Sequence, residues 1–340
     1  MPKVFLSAQG QSFPCARDER FLDAANRAGF RLPVSCKNGV CEICHARLIE
    51  GKAWQGRATR KTKRATPAAS EEVLLCHSGP ETDCIIYVEN VYGPGELPVK
   101  KFVCQIEEVT EMQAHVFRVR LKAPAGKLPE FYAGQYLSLD LPEREGAHYF
   151  SIACAPGQRE IELHIQADPH IEAAVETVNF LRQERLVKIS LPFGESCLHT
   201  IPEQPVILLA AGTGFAQMKS LIEFLWQNNF KHPVHLYWTV RKASDLYAET
   251  LAEDWAAQYT NFNFSKLIGE AQDEQCTEHH EGLAEAVLAD ALPLKIAKVF
   301  VSGSPKLVFS VKHRLTQAGM PETAFYSDVL EYAKPEDFGF

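Results

Sequence analysis

The pattern of apolar and polar positions changes twice along the chain. From residue 102 to 191, short segments alternate apolar and polar residues, which is the period of a half-buried strand, and one helical pattern covers 171–183. After residue 204 the pattern turns into continuous apolar runs, typical of strands buried on both faces, separated by helical segments. These runs are predicted as strands at 206–210, 234–238, 262–267, 299–301 and 324–326, and the helices at 215–227, 244–258, 283–291 and 305–318.

This change of pattern predicts an antiparallel β-barrel followed by a parallel-sheet α/β domain. The first hundred residues are different again, with a short helix predicted at 21–25 and a last strand at 84–89. Two glycines and two prolines in residues 92–98 mark a boundary after them. We therefore predict a first domain at 1–92, a linker at 93–100, a barrel at 101–200 and a nucleotide-binding domain at 201–340.

Charge is distributed unevenly. The net charge of −8 argues against a nucleic-acid partner, yet residues 1–100 carry +3 and the remainder −11. The segment Lys52 to Arg64 holds six cations and no acid. It is interpreted either as a solvated loop or as a docking patch, for an acidic partner or for the acidic remainder of the same chain. No signal-like or membrane-spanning apolar run occurs, so we expect a soluble, cytoplasmic protein.

Four of the ten cysteines form a spaced set. Cys36, Cys41 and Cys44 read C-x4-C-x2-C, and Cys76 follows after 31 intervening residues. This spacing is that of a plant-type [2Fe–2S] loop with four thiolate ligands. The alternatives are a zinc knuckle, which usually has a second close pair or histidines, or scattered core cysteines. The other six cysteines are expected to be buried small apolar residues.

A glycine-rich turn follows the first apolar run of the α/β region. Gly212-Thr213-Gly214 lies between a predicted strand and a predicted helix, where backbone N–H groups can bind a pyrophosphate. The alternative is a helix start that needs glycine for packing alone. Gln217 stands where the full dinucleotide fingerprint has a third glycine.

Two family resemblances follow from these motifs. Residues 1–90 resemble the plant-type ferredoxin module. Residues 100–332 are similar to the ferredoxin–NADP reductase superfamily through five motifs in order: Ala133–Tyr136, His148–Ala153, Gly212–Ala216, Ser302–Pro305 and Phe325–Asp328. The resemblance implies a β-grasp cluster domain, a flavin-binding barrel and an NAD(P)-binding domain. It also implies FAD, or FMN, held near the barrel.

The resemblance supplies candidate site residues. Flavin would lie near His148, Tyr149, Phe150, Ser151 and His164, with Ser151 and Ser302 as catalytic candidates. NADH, with NADPH as the alternative, would lie near Gly212, Thr213, Gly214, Arg241, Ser302 and Gly303. His148 stands where the family usually has arginine, Asp168–Glu172 replace its second phosphate motif, and Ser302 stands where cysteine is common. An alternative for Ser302 is that it caps the helix beginning at Pro305.

The three modules predict an electron-transfer enzyme. NADH gives a hydride while the cluster takes single electrons, so a flavin between them can connect the two. The order of modules resembles the reductase components of aromatic-ring and di-iron oxygenases and the reductase of 3,6-dideoxyhexose synthesis. We predict an NAD(P)H-dependent reductase that passes electrons to a redox protein acceptor. The alternatives are an NAD(P)H:flavin reductase that releases reduced flavin, and a non-enzymatic redox sensor.

Overall fold

The computed structural model describes residues 1–8, 10–56, 66–67, 72–141, 146–269 and 278–340. The backbone separates into two units, Met1–Pro98 and Val99–Phe340. The basic segment predicted at 52–64 lies outside the described residues from 57 onward, and so does Cys276.

The first unit is a β-grasp ferredoxin fold. A five-stranded mixed sheet has the order β2-β1-β8-β3-β6, with β1 parallel to β8 and the other pairs antiparallel, and a three-stranded sheet has the order β5-β4-β7. Helix α1 buries Phe21, Leu22, Ala24 and Ala25 in the core that lies beside the larger sheet. The elements are β1 Lys3–Leu6, β2 Gln11–Pro14, α1 Phe21–Arg27, β3 His45–Glu50, β4 Ala53–Gln55, β5 Thr66–Pro67, β6 Glu72–Leu74, β7 Ser78–Pro80 and β8 Cys84–Tyr87.

The second unit begins with an antiparallel barrel. Its strand order is β12-β11-β14-β9-β10-β13, and an antiparallel bridge between Ile152 and Leu163 joins the two ends. Alternate residues of each strand face a core of aliphatic and aromatic side chains, which explains the period of two in the sequence. The elements are β9 Lys100–Glu111, β10 Val116–Lys122, β11 Tyr136–Asp140, β12 His148–Ser151, β13 Glu160–Gln166, α2 Glu172–Gln183 and β14 Leu186–Phe193.

A parallel sheet of order β17-β16-β15-β18-β19 completes this unit. The central strand β15 directs Leu208 and Ala210 into one core and Ile207 and Leu209 into another, so both faces of the sheet are covered. The elements are β15 Val206–Ala211, α3 Phe215–Gln227, β16 Val234–Val240, α4 Glu249–Gln258, β17 Phe262–Ile268, α5 Glu278–Ala289, β18 Lys298–Ser302, α6 Pro305–Gln317, β19 Phe325–Tyr326 and α7 Val329–Tyr332.

Two helices differ from their predictions. The helix predicted at 283–291 is α5, which begins at Glu278 and ends at Ala289. The segment predicted as helix from 244 begins as α4 only at Glu249, after a single 3-10 turn at Ala243–Asp245. Leu246, Tyr247 and Ala248 are buried in the sheet core without being helical, so their apolar pattern reflects packing rather than a helical period. Among the described helices, none has the length and apolar character needed to cross a bilayer.

Candidate functional site

The cluster loop of the first unit brings sulfur atoms and backbone N–H groups together. Cys44 and Cys76 are buried with their Sγ atoms 3.2 Å apart. The Sγ of Cys36 accepts hydrogen bonds from the backbone N–H groups of Asn38, at 3.5 Å, and Cys41, at 3.4 Å. Cys41 is exposed at the rim. This arrangement fits thiolate ligands of an iron–sulfur cluster, whose sulfurs accept N–H hydrogen bonds.

The environments of two of these thiols differ. The backbone N–H groups of Asn38 and Cys41 lower the pKa of Cys36 to about 6, because they stabilise its thiolate. Burial, followed by the neighbouring Cys44 sulfur, raises the pKa of Cys76 to about 11. Within the described ranges, no three His, Cys, Asp or Glu side chains converge as a site for a single metal ion. Four thiolates that share a two-iron cluster need not converge on one point.

Strand β12, at one end of the strand order of the barrel sheet, carries the flavin-side candidates. Tyr149 is 56% exposed, whereas Phe150 packs against the barrel core. Ser151 is half-buried and pairs in register with Tyr136 on β11. The Nε2 atom of His148 is buried and has no hydrogen-bond partner in the described part of the chain. An unsatisfied ring nitrogen of this kind fits a polar group of a bound ligand.

Aromatic rings and acidic groups meet beside this strand. Tyr136 contacts the rings of Tyr149 and Phe193, with centroids 5.5 and 5.8 Å away. Its hydroxyl donates to Glu331 Oε2 at 3.2 Å. Burial, followed by the charge of Glu331, raises the pKa of Asp328 to about 8. The partly exposed aromatic surface fits a planar ring system such as a flavin.

The glycine-rich turn is packed tightly against the end of β18. A Cβ atom on Gly214 would lie 2.4 Å from the carbonyl oxygen of Ser302, and one on Gly303 would lie 3.0 Å from the Cβ of Ala211. Gly212 has a φ of +52° and open space where a Cβ would be. Glycine therefore permits the close approach at 214 and the left-handed backbone at 212.

The turn leads directly into α3. The first residues of this helix have no side-chain cap, but the N–H of Phe215 already donates to the carbonyl oxygens of Gly212 and Thr213 in a 3-10 turn at Gly212–Gly214. A helix start without a side-chain cap can bind an anion through its remaining N–H groups. Ser302 is the half-buried last residue of β18, and Arg241 is exposed just after β16. The helix at Pro305 is capped by Ser304, whose Oγ accepts from the N–H of Leu307. The capping role considered for Ser302 therefore belongs to Ser304.

His164 lies in the interior rather than on a ligand-facing surface. Its side chain is 2% exposed, and its Nδ1 and Nε2 atoms lie 3.0 Å from the Tyr247 hydroxyl and 2.9 Å from Glu162 Oε1. Burial lowers the pKa of His164, so its ring is neutral, with both nitrogens already engaged.

Sequence reasoning missed the polar groups that join α3 to the barrel. Lys219 and Gln217 are buried, and Gln217 Nε2 donates to the carbonyl oxygen of Gly134 at 2.8 Å and to Asp328 Oδ2 at 2.9 Å. Gln217 was visible as a departure from the glycine fingerprint, but its partners are distant in sequence. Nothing in the local pattern around Lys219 indicated that it would be buried.

Two family models match the chain. The 2Fe-2S iron-sulfur cluster binding domain covers residues 4–81, and the oxidoreductase NAD-binding domain covers residues 208–313. Both matches include the candidate ligands described above for their respective cofactors.

Full-length relatives are also found. The chain is 31% identical over 322 residues to the reductase component 2 of terephthalate 1,2-dioxygenase from a Comamonas species, covering 94% of each chain. It is 27% identical to the CDP-6-deoxy-L-threo-D-glycero-4-hexulose-3-dehydrase reductase of Yersinia pestis, covering 97% of this chain and 99% of the relative. The crystal structure of the Amycolatopsis cytochrome P450 reductase GcoB has the same fold, with a TM-score of 0.61, 22% identity and coverage of 96% and 98%.

Proposed function

The chain belongs to the family of NADH-dependent iron–sulfur flavoprotein reductases, and we propose that its acceptor is the oxygenase component of a bacterial aromatic-ring oxygenase. Its cofactors are a [2Fe–2S] cluster, FAD and NADH. A bound FAD supplies the change from a two-electron hydride to single electrons. The observation that carries the proposal is the match to the terephthalate dioxygenase reductase, which spans 94% of both chains and so includes all three modules.

The chain's residues would hold these groups as follows. We propose Cys36, Cys41, Cys44 and Cys76 as cluster ligands, and the N–H groups at Cys36 stabilise its thiolate. His148 and the ring of Tyr149 would orient FAD, while Ser151 would face its reacting edge. The α3 N-terminus and the Gly212–Gly214 turn would hold the pyrophosphate of NADH, with Ser302 beside its nicotinamide. We further propose domain boundaries at 1–92, 101–200 and 201–340, and a cytoplasmic location, where NADH and reduced thiols are available.

The acceptor is tested with purified components. The reconstituted protein is reduced anaerobically with NADH, and its reoxidation is followed at the cluster absorbance in the stopped flow. Three acceptors are compared: the terephthalate oxygenase component, the hexulose dehydrase and ferricytochrome c. Faster reoxidation by the oxygenase than by ferricytochrome c supports the proposal. Faster reoxidation by the dehydrase would replace the proposed acceptor, and no reduction by NADH would refute the activity.

A second function is favoured by the flavin side of the barrel. Histidine lacks the two-pronged guanidinium of arginine, and α2 has Glu172 in its first turn, where its negative charge would repel a phosphate. Both features weaken phosphate binding, as in an enzyme that releases its flavin. Gel filtration separates the two functions, because a reductase component retains FAD through the column whereas a free-flavin reductase loses it.

We also propose that the basic segment at 52–64 docks the acidic acceptor. Its six cations without an acid would speed encounter with a negative surface at low salt. Replacing Arg60, Lys61, Lys63 and Arg64 with glutamate is expected to slow acceptor reduction at low ionic strength and to leave FAD-to-cluster transfer unchanged. If the intramolecular step slows instead, the segment binds the rest of its own chain. Two unchanged rates would make it a solvated loop.

A further inference from the structure

A buried lysine occupies the interface between the barrel and helix α3. The side chain of Lys219 is 9% exposed, and its Nζ atom lies 2.8 Å from the carbonyl oxygen of Ala153, 2.6 Å from Glu223 Oε1 and 3.1 Å from Glu162 Oε1. An ammonium group has three N–H donors, so each donor has an acceptor. A buried charge is stable only when it is paired in this way, which makes the geometry around Lys219 demanding.

The residues next to Lys219 extend the same contact. Ser220 Oγ donates to the carbonyl oxygen of Cys154 at 2.7 Å, and Glu223 Oε2 accepts from the N–H of Ala155 at 3.1 Å. Three successive barrel residues are therefore each bonded to α3. We call Lys219, Ser220 and Glu223 the α3 clamp.

A second layer supports the clamp from the outer face of β13, because Ile161, Leu163 and Ile165 of this strand face the barrel core. Glu162 accepts from Lys219 and from Nε2 of His164, while the hydroxyl of Tyr247 donates to Nδ1 of the same ring. Burial alone would raise the pKa of Glu162, but His164 and Lys219 outweigh it and bring that pKa to about 2. Glu162 therefore remains a carboxylate, and its position is fixed by two donors.

The clamp joins two segments that the activity needs to hold at a defined separation. Ala153 lies two residues after Ser151, at the end of the flavin-side strand. Lys219 lies five residues after Gly214, at the end of the nucleotide turn. Hydrogen bonds link these two segments within one packed interface, which restricts their movement relative to each other.

We propose that the α3 clamp positions the flavin-side strand against the nucleotide turn for hydride transfer, with Lys219 and Ser220 as positioning residues. This inference rests on the proposed function, in which NADH is oxidised to NAD⁺ and its hydride passes to FAD. Misplacing two reacting groups by about 1 Å can cost about a hundredfold in rate. Loss of the clamp therefore slows the transfer step more than it weakens NADH binding.

The test uses two clamp variants and a matched control in the full chain. Lys219→Met removes the ammonium. Ser220→Ala removes two uncharged hydrogen bonds, the one to Cys154 and the one accepted from the N–H of Gly134 at 3.3 Å, so it keeps the test valid if Lys219→Met fails to fold. Ser310→Ala is the control, because Ser310 is a buried serine of α6, outside the clamp. Single-turnover FAD reduction is measured at saturating NADH, together with KM and the isotope effect of 4-deuterated NADH. Hydrogen–deuterium exchange at residues 151–155 is measured in the flavin-free protein.

The expected result is a slower hydride transfer with little change in KM. Ser220→Ala should slow the step by about three- to tenfold and Lys219→Met by about 10- to 100-fold, with a larger isotope effect. Exchange at 151–155 should accelerate in both, and Ser310→Ala should match the wild type. A folded Ser220→Ala variant with a wild-type transfer rate, even at a lower Tm, would overturn the positioning role. Wild-type protein that passes no hydride to FAD would overturn the proposed function itself, and the positioning role with it.

Discussion

The cluster loop and the α3 interface organise polar groups in opposite ways. In the cluster loop, the N–H groups of Asn38 and Cys41 point at the sulfur atom of Cys36. Lys37, Gly39 and Glu42 of the same loop have φ values of 55°, 78° and 57°. In the α3 interface, the buried ammonium of Lys219 is paired with two half-buried carboxylates, Glu162 from the barrel and Glu223 from the same helix. The loop is made by local backbone geometry, and the interface is made by tertiary packing.

This difference determines which properties of the protein a substitution in each region should change. A left-handed backbone at a non-glycine residue costs about 1–2 kcal/mol of stability. In the loop, the residues with this backbone are close neighbours, so the strain is local. In the interface, removing one partner leaves another charge buried and unpaired. Changes in the loop should therefore affect one cofactor, whereas changes in the interface should affect the stability and activity of the whole second unit.

The largest effect is expected for Cys41→Ser. Serine cannot replace a thiolate ligand, so the variant should lose the visible absorption of the cluster and all one-electron transfer to ferricytochrome c. Because the loop is a local structure, NADH should still reduce FAD at the wild-type rate. Absorbance spectra and single-turnover kinetics measure the two properties.

The matched control is Cys84→Ser in the same unit. The Cys84 thiol donates to the carbonyl oxygens of Lys52 and Thr82, which a serine hydroxyl can also do. This variant should keep its cluster. Loss of FAD reduction in folded Cys41→Ser protein would contradict the separation of loop and interface.

The same difference between local backbone geometry and tertiary packing explains which features the sequence could predict. Three of the four proposed cluster ligands lie in one contiguous motif, and so do the residues of the nucleotide turn. The bounds of α3 at 215–227 are confirmed because its apolar period is local. The start of α4 was wrong because Leu246 and Tyr247 are buried by neighbours that a local window does not contain. The partners of Lys219 and Gln217 are set by the docking of α3 against the barrel. No spacing rule along the chain describes that contact.

The next largest effect is expected on the pH dependence of stability, through Asp328 at the far side of the α3 interface. Its folded pKa is raised from 3.8 to about 8 by burial and by Glu331. The folded state therefore holds a proton that the unfolded state releases, so the contribution of Asp328 to stability is greatest below about pH 4 and is lost as pH rises to about 8. The slope is about 1.4 kcal/mol per pH unit, which gives an upper limit of about 6 kcal/mol.

Asp328→Asn should remove this part of the pH dependence. Urea unfolding is followed at several pH values by tryptophan fluorescence, which reports mainly on Trp226, Trp238 and Trp255 of the second unit. Asp140→Asn, at an exposed carboxylate, is the control and should keep the wild-type slope. A wild-type slope in Asp328→Asn would mean that the carboxyl is ionised in the folded protein.

A pair of glycine variants separates tight packing from backbone conformation in the nucleotide turn. In Gly214→Ala the new Cβ would meet the carbonyl oxygen of Ser302, so the turn must move away from β18. NADH affinity should fall by about a hundredfold. In Gly212→Ala there is open space, and only the left-handed backbone is penalised, by about 1–2 kcal/mol. Gly212→Ala should therefore melt at a lower temperature but bind NADH within about threefold of the wild type, and equal affinities of the two variants would contradict this assignment.

The smallest expected effect tests whether the flavin side of the barrel has a partner for its unsatisfied atom. The Nε2 of His148 is buried without a protein partner among the described residues, and we expect it to face the phosphate of FAD. His148→Arg places a permanent cation there, and a charged hydrogen bond of this kind is worth about 1–3 kcal/mol, or one to two decades in affinity. FAD titration of the apoprotein, followed by quenching of flavin fluorescence, measures the change.

His148→Gln offers a hydrogen bond without charge and should leave the affinity near the wild-type value. Because both variants alter the same position, tightening by arginine alone identifies charge as the cause. An affinity that arginine leaves unchanged would mean that His148 faces another part of the flavin or none of it.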